Sequence, residues 1–87
     1  KAISGCFNLK KALAEITLDP DSKYPELYVW GISYGEPDEN SAISLAIKSN
    51  KHWVKKYKAP KCDYVVYDLN DTNNLSEEYV KKIININ

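Results

Sequence analysis

The clearest pattern in the chain is a helical repeat of apolar residues between positions 38 and 58. At about 100° per residue, these side chains fall within an arc of roughly 140°, and the lysines project from the opposite side. Acidic residues at the start and lysines in the last turns complement the helix dipole, and Pro60 ends the run. The pattern predicts one long amphipathic helix. Its apolar positions are Ala42, Ile43, Ala46, Ile47, Trp53, Val54 and Tyr57.

One polar residue, Asn50, interrupts the apolar arc near its middle. A buried amide must find hydrogen-bond partners, so we expect Asn50 to lie against a sheet with its amide bonded. It serves there either as a structural specificity feature or as part of a site. The structural alternative is favoured, because buried polar groups are usually satisfied within the fold.

Two aromatic segments on either side of this helix alternate as strands do. Residues 27–34 and 62–69 are predicted to be strands, and the first has unlike faces. One of its faces carries small side chains, including Gly31 and Ser33, which allow a helix to lie close. The other face carries Tyr28, Trp30, Ile32 and Tyr34.

The two ends of the chain are less regular. Apolar residues have helical spacing from Leu9 to Ile16, yet residues 14–18 alternate as a strand would. We predict a short turn or helix followed by a strand over residues 14–18. A last helix is predicted to begin at Ser76, with Leu75 and Val80 placed as a hydrophobic staple.

Together these elements predict a single α+β domain over residues 1–87. We expect a small three-stranded, mainly antiparallel sheet packed on one long helix, with a short C-terminal helix. A β-α-β pairing of the two aromatic strands is the competing topology. A domain of this length buries about two-thirds or less of its unfolded surface, so it gains from a covalent constraint.

The two cysteines, Cys6 and Cys62, offer that constraint. A bridge between them would close a long loop and add roughly 2–4 kcal/mol to the free energy of unfolding. We predict that they are bridged, which implies an oxidising compartment outside the cytosol. No Cys-x-x-Cys or Cys/His cluster offers a metal or redox site, and no cofactor is expected. Residues 3–6 also resemble the end of a bacterial lipoprotein signal, in which Cys6 would carry the lipid.

The charges are segregated although the net charge is zero. Residues 19–39 carry six acidic residues and one lysine, whereas residues 48–61 carry six lysines and no acidic residue. A basic stretch with His52, Trp53 and Tyr57 interleaved is compatible with nucleic-acid binding. The chain contains no arginine, which supplies bidentate base and phosphate contacts, so we expect a solvated helix face and no nucleic-acid partner. No apolar run is long enough to span a membrane.

A Gly-x-Ser-x-Gly pattern at Gly31, Ser33 and Gly35 matches the nucleophile elbow of esterases. A triad with His52 and Asp68 can be written. In esterases, however, the serine lies on a sharp turn that runs directly into a helix, whereas Ser33 is predicted within a strand. So short a chain also leaves little room for a pocket and an oxyanion hole. We therefore expect no catalytic residue.

The same segment, followed by an alanine-rich helix and a strand that begins at Cys62, resembles a small exported bacterial domain of unknown function. The likeness covers Gly31-Ile-Ser-Tyr-Gly35-Glu-Pro37, Ala42 and Ala46, and Cys62-Asp-Tyr-Val-Val-Tyr67, about half the chain. Asn50 stands where the family has a helix cysteine. The resemblance implies an exported setting and no known chemistry.

We expect a working surface where aromatic side chains remain uncovered, because one helix covers only one face of a sheet and large exposed apolar patches usually mark contact surfaces. The alternative is that the first segment and the terminal helix cover that face as core. The acidic loop predicts a basic protein partner, with self-association as the other possibility. The function expected is a secreted or periplasmic, non-enzymatic protein-binding module of the immunity or inhibitor kind; the alternative is a secreted effector or toxin. The candidate interaction residues are Tyr24, Tyr28, Trp30, Tyr34 and Tyr64.

Overall fold

A computed structural model describes residues 1–19, 21, 26–70, 72–73 and 75–86. The chain forms four strands and three helices in this part of the sequence, and they give the α+β class predicted above. In chain order the elements are β1 Ala2–Phe7, α1 Leu9–Leu18, β2 Val29–Ser33, α2 Glu39–Tyr57, β3 Asp63–Leu69, β4 Thr72–Asn73 and α3 Glu77–Ile86.

The strands form one antiparallel sheet in the order β2-β1-β3-β4. The central strand β1 pairs with β2 on one side and with β3 on the other, and β4 adds only two residues beyond β3. The two aromatic strands, β2 and β3, therefore do not pair with each other. The competing β-α-β pairing of these strands is wrong, because β1 lies between them.

The central strand was not predicted from the sequence. The sequence pattern predicts the first strand at residues 14–18, whereas the first strand of the structure is β1, Ala2–Phe7. Within β1, Ala2, Ser4, Gly5, Cys6 and Phe7 are buried. A strand covered on both faces shows no alternation of polar and apolar positions, which is why its pattern gave no signal.

Residues 14–18 belong to α1, so the predicted strand there is wrong. The helical spacing of the buried residues Leu9, Ala12 and Ile16 prevails over the local alternation. Asn8 caps the helix, since its side-chain oxygen accepts a hydrogen bond from the Lys11 N–H at 3.2 Å.

The long helix α2 has nearly the predicted bounds. Asp38 is its N-cap, and its carboxylate accepts a hydrogen bond from the Ser41 N–H at 2.8 Å. At the other end Lys58 adopts a left-handed conformation, with φ 51°, and Pro60 follows. The helix α3 also begins where expected, and the Ser76 hydroxyl oxygen accepts from the Tyr79 N–H at 3.2 Å.

Helices cover both faces of the sheet. On one face α2 packs closely against small side chains of the sheet, and its own Ala42 and Ala46 form a cluster with Ala2. On the other face α1 and α3 enclose the larger core, in which the Phe7 and Tyr67 rings meet edge to face at 5.4 Å. The buried residues of this larger core are Phe7, Leu9, Ile16, Val65, Tyr67, Leu75 and Val80.

The predicted disulfide between Cys6 and Cys62 is confirmed, with the two Cα atoms 5.6 Å apart. It ties the end of β1 to the start of β3 across 56 residues of sequence. Because the Cys6 sulfur is bonded to Cys62, it cannot also carry a thioether lipid. The alternative of a lipidated Cys6 is therefore excluded for this form of the protein.

Candidate interaction site at the edge of the sheet

The strand β2 forms one edge of the sheet and pairs only with β1 among the described strands. In an antiparallel ladder, alternate N–H and C=O groups point away from the neighbouring strand, so this edge leaves such groups unpaired. Proteins usually protect such an edge with lysines, prolines or bulges. The sequence of β2, Val-Trp-Gly-Ile-Ser, contains neither a charge nor a proline. As far as the described residues show, this edge is therefore open to pairing with another strand.

A groove of about 520 Å³ runs along this edge between β2 and the second half of α2. Most of its lining residues are aromatic or aliphatic, so the groove is predominantly apolar. The lining residues are Tyr28, Val29, Trp30, Gly31, Ile32, Ser49, Trp53 and Tyr57.

The groove depends on the close approach of α2 to β2 at Gly31. A Cβ atom on Gly31 would lie 2.6 Å from the Ala46 carbonyl oxygen and 2.8 Å from the Asn50 Cα, closer than real contacts allow. A glycine at this position therefore lets the helix backbone lie directly on the strand. Nearby, the Ser33 hydroxyl donates to the Ala42 carbonyl oxygen at 2.7 Å and fixes the same approach.

Two aromatic residues of α2 form the helical wall of the groove. The Trp53 and Tyr57 rings stack with centroids 5.7 Å apart, and Tyr57 remains 66% exposed. The Lys56 ammonium lies 4.9 Å from the centroid of the Trp53 ring, and the His52 ring meets the same ring edge to face at 5.0 Å. This wall thus presents apolar area with a positive charge at its rim.

The structure separates the aromatic residues that the sequence grouped into one surface. Tyr28 and Trp30 line the groove, and Trp30 is 51% exposed. Tyr34 is 66% exposed but lies outside the groove lining, just after β2. Tyr64 is on β3, on the far side of β1, where the Lys51 ammonium lies 5.5 Å from its ring centroid. Tyr24 lies outside the described residues.

Within the described ranges, no broad aromatic face is open on the sheet, because α1 and α3 pack on the face opposite α2 around the larger core. The first segment and the terminal helix form core with residues of β1 and β3. The aromatic residues at β2 are not part of that core, since Trp30 is 51% exposed and Tyr34 is 66% exposed. The assignment of Tyr28, Trp30 and Tyr34 as interaction residues stays a prediction, now limited to the β2 edge.

Sequence reasoning missed the contribution of α2 to this surface. Trp53 and Tyr57 belong to the apolar arc predicted to be buried, yet both line the groove and Tyr57 is 66% exposed. The sequence signal for this pair is its i, i+4 spacing, which brings two side chains together on the surface of a helix. Ser49 was not singled out at all.

Asn50 is fully buried, as expected, and its Nδ2 donates to the Ser4 Oγ at 3.1 Å. Ser33, the candidate nucleophile that we set aside, has its hydroxyl engaged with the α2 backbone. Among the described residues, no group of three or more acidic, histidine or cysteine side chains is placed to hold a metal ion.

The acidic loop is partly neutralised where the structure describes it. The Lys11 ammonium forms an ion pair with the Glu26 carboxylate, and both side chains are about half exposed. The hydrogen bond and the charge of Glu26 raise the pKa of Lys11 above its ordinary value. Asp19 and Asp21 are exposed, and the Asp19 side chain accepts from the Asp21 N–H at 3.2 Å. The expectation of a basic partner at this loop stays a prediction.

Across the described ranges, no helix combines the length and apolar character needed to cross a bilayer. Comparison of the chain with protein-family models, curated proteins and solved structures finds no match. The resemblance to an exported bacterial domain therefore stays a prediction, and the surface described above is the basis for a functional proposal.

Proposed function

We propose that this protein is an exported, non-enzymatic protein-binding module of the immunity or inhibitor kind, and that it binds through the β2 edge. The observation that carries the proposal is the unprotected edge strand beside the aromatic groove. Main-chain groups of such an edge bind an added strand, and neighbouring side-chain pockets select it. The disulfide between Cys6 and Cys62 supports export, because such bonds persist in oxidising compartments.

The composition of the groove fits protein recognition. Tyr and Trp bury much area at small entropic cost and are enriched where binding energy is concentrated. Trp30, Trp53 and Tyr57 supply this area from two different elements of the fold. No reaction needs to be assigned to the groove, since its lining consists of aromatic, aliphatic and small side chains together with one serine hydroxyl.

The proposal is tested by capture of partners from an extract of the native organism, followed by reconstitution of the complex from purified components. Trp30→Lys and Tyr57→Lys place a charge on each of the two elements that line the groove, β2 and α2. Leu18→Lys is the matched control because Leu18 is 87% exposed on α1. We expect the two groove variants to weaken binding by about tenfold or more, whereas the control binds as the wild type does. Equal binding by all four proteins would place the contact elsewhere and overturn the proposal.

A further inference from the structure

We propose that the β2 edge also binds a second copy of this chain, with the two β2 strands paired antiparallel about a two-fold axis. The inference rests on the proposed function, because it uses the same edge, and it goes further by naming an occupant that would compete there with the target protein. Two four-stranded sheets would then join into one continuous sheet. A two-fold interface brings the same surface of both subunits together, so this surface must be complementary to itself.

The sequence of β2 meets this requirement when the axis lies midway between Gly31, its central residue, and Gly31 of the second copy. In that register Trp30 lies opposite Ile32 of the second copy, and the reciprocal pair is formed on the other side of the axis. These residues project from the face opposite α2, since Gly31 faces α2. Trp30 is half exposed and Ile32 is partly buried in the single chain. Pairs of an aromatic and a β-branched residue are among the favourable cross-strand pairs.

The same axis sets the two α2 helices side by side in opposite directions. Within one chain α2 runs opposite to β2, since Ser33 is bonded to Ala42 and Gly31 lies beside Ala46 and Asn50. An axis beside Gly31 is therefore level with the middle of α2. Because α2 lies over both β2 and β1, the two helices would be about two strand spacings apart, roughly 10 Å, which is a usual distance for packed helices.

The side of α2 nearest the edge is also complementary to itself. On a helical wheel, Asp38, Leu45 and Lys56 lie within about 40° of Ser49, which lines the groove. Asp38 and Lys56 are each nine positions from residue 47, and Leu45 and Ser49 are each two positions from it. In an antiparallel pair of helices centred there, Asp38 meets Lys56 of the second copy, and Leu45 meets Ser49. Opposite charges thus face each other at both ends of the helix pair.

Two further observations favour a second copy. The formal net charge of the chain is zero at neutral pH, so two copies do not repel each other as wholes. Three large apolar side chains, Trp30, Leu45 and Tyr57, are exposed. Trp30 and Tyr57 line the groove, and the helical wheel places Leu45 on the same side of α2 as Ser49, so the dimer would cover all three. An edge strand that pairs with its own copy is also protected from uncontrolled pairing.

The experiment is sedimentation velocity of the oxidised protein over a concentration series. We expect a monomer–dimer equilibrium whose dissociation constant rises by about tenfold or more in Trp30→Lys and does not change in Leu18→Lys. A wild-type protein that stays monomeric throughout would overturn the inference, as would a dimer that Trp30→Lys leaves unchanged.

Charge reversal tests the register. Asp38→Lys and Lys56→Glu each place like charges opposite each other in their own dimers, so each variant alone should dimerise about tenfold more weakly. A mixture of the two variants restores opposite charges at both ends, and heterodimers should form with nearly wild-type affinity. Failure of the mixture to restore dimerisation would contradict this antiparallel register. The unfolding midpoint of each variant confirms that it is folded.

The outcome also separates this inference from the proposed function. A monomeric wild type that binds another protein through the groove overturns the second copy as occupant and supports the binding module. A dimer that Trp30→Lys dissociates, together with a captured protein that binds all groove variants equally, supports the inference and overturns the assignment of the binding surface.

Discussion

The Asn50 side chain donates a hydrogen bond from Nδ2 to the Ser4 Oγ at 3.1 Å, and both residues are fully buried between α2 and β1. This bond joins residues 46 positions apart in sequence and fixes how the long helix lies on the central strand. Within the described residues, the Asn50 Oδ1 has no hydrogen-bond partner. The amide therefore stabilises one arrangement of helix and strand through its nitrogen.

The Asn50–Ser4 bond predicts the result of a double-mutant cycle. Asn50→Leu and Ser4→Ala should each lower the free energy of unfolding by about 1–3 kcal/mol, because each leaves a buried polar group without its partner. The double variant should cost less than the sum of the two by about 0.5–1.5 kcal/mol, since both partners are then removed. Urea unfolding of the four proteins measures this difference. Strict additivity would mean that the two side chains do not interact.

The close contact of Gly31 with α2 predicts a second effect on stability. Gly31→Ala should lower the free energy of unfolding by about 1–3 kcal/mol, because the added methyl group forces the helix away from the strand. Gly35 is the matched control: it has φ 65° and no atom within 4 Å of an added Cβ, so its constraint is conformational. Gly35→Asn should be tolerated better than Gly35→Ala, since Asn adopts positive φ more readily.

At position 31 the same comparison should give the opposite order. The larger side chain in Gly31→Asn should be worse than Gly31→Ala, because space and not φ is limiting there. Thermal unfolding midpoints of the four variants decide this. If Gly31→Asn were as stable as the wild type, the helix would not lie on the strand as described.

The disulfide is predicted to stabilise the fold because it restricts the freedom of the unfolded chain. The double variant Cys6→Ala/Cys62→Ala should lose about 2–4 kcal/mol of unfolding free energy, because the unfolded chain gains the freedom of a long loop. Reduction of the wild type should lower its midpoint towards that of the variant, and the same reductant should leave the variant unchanged. Thiol titration of the oxidised, denatured wild type should find no free thiol. Two titratable thiols would contradict the bridge.

The burial of Tyr79 predicts that the free energy of unfolding depends on pH in the alkaline range. Its hydroxyl donates to the Val66 carbonyl oxygen at 2.8 Å, and burial raises the pKa of this phenol above its ordinary value. Folding then favours the protonated form. This contribution to stability is complete below the pKa of the unfolded chain and is lost as the pH rises through the higher pKa of the folded state.

Tyr79→Phe should therefore lower the free energy of unfolding by about 0.5–1.5 kcal/mol at neutral pH, through loss of the hydrogen bond. The difference between the two proteins should shrink as the pH rises above about 10, where only the wild type has this phenol to ionise. Urea unfolding at neutral and alkaline pH measures both values. A difference that stays constant with pH would show that the Tyr79 phenol ionises equally in both states.

The sequence alone determined the elements whose pattern is long and one-sided. The helix α2 could be located within one residue at either end, because its apolar arc, its acidic start and Pro60 agree. The burial of Asn50 followed from its position on that arc. The disulfide followed from the scarcity of other uses for two distant cysteines in so small a domain.

Only the tertiary structure showed which segment forms the central strand and where the candidate interaction site lies. The strand β1 carries small residues such as Ser4 and Gly5, and its burial on both faces depends on α1 together with α2 and α3, which are distant in sequence. The interaction surface could not be predicted from the sequence either, because exposure of Trp30 and Tyr57 depends on which strand lies at the edge and on where α2 packs against it. Strand order results from pairing between distant segments, and the local patterns that predict helices and strands contain no information about it.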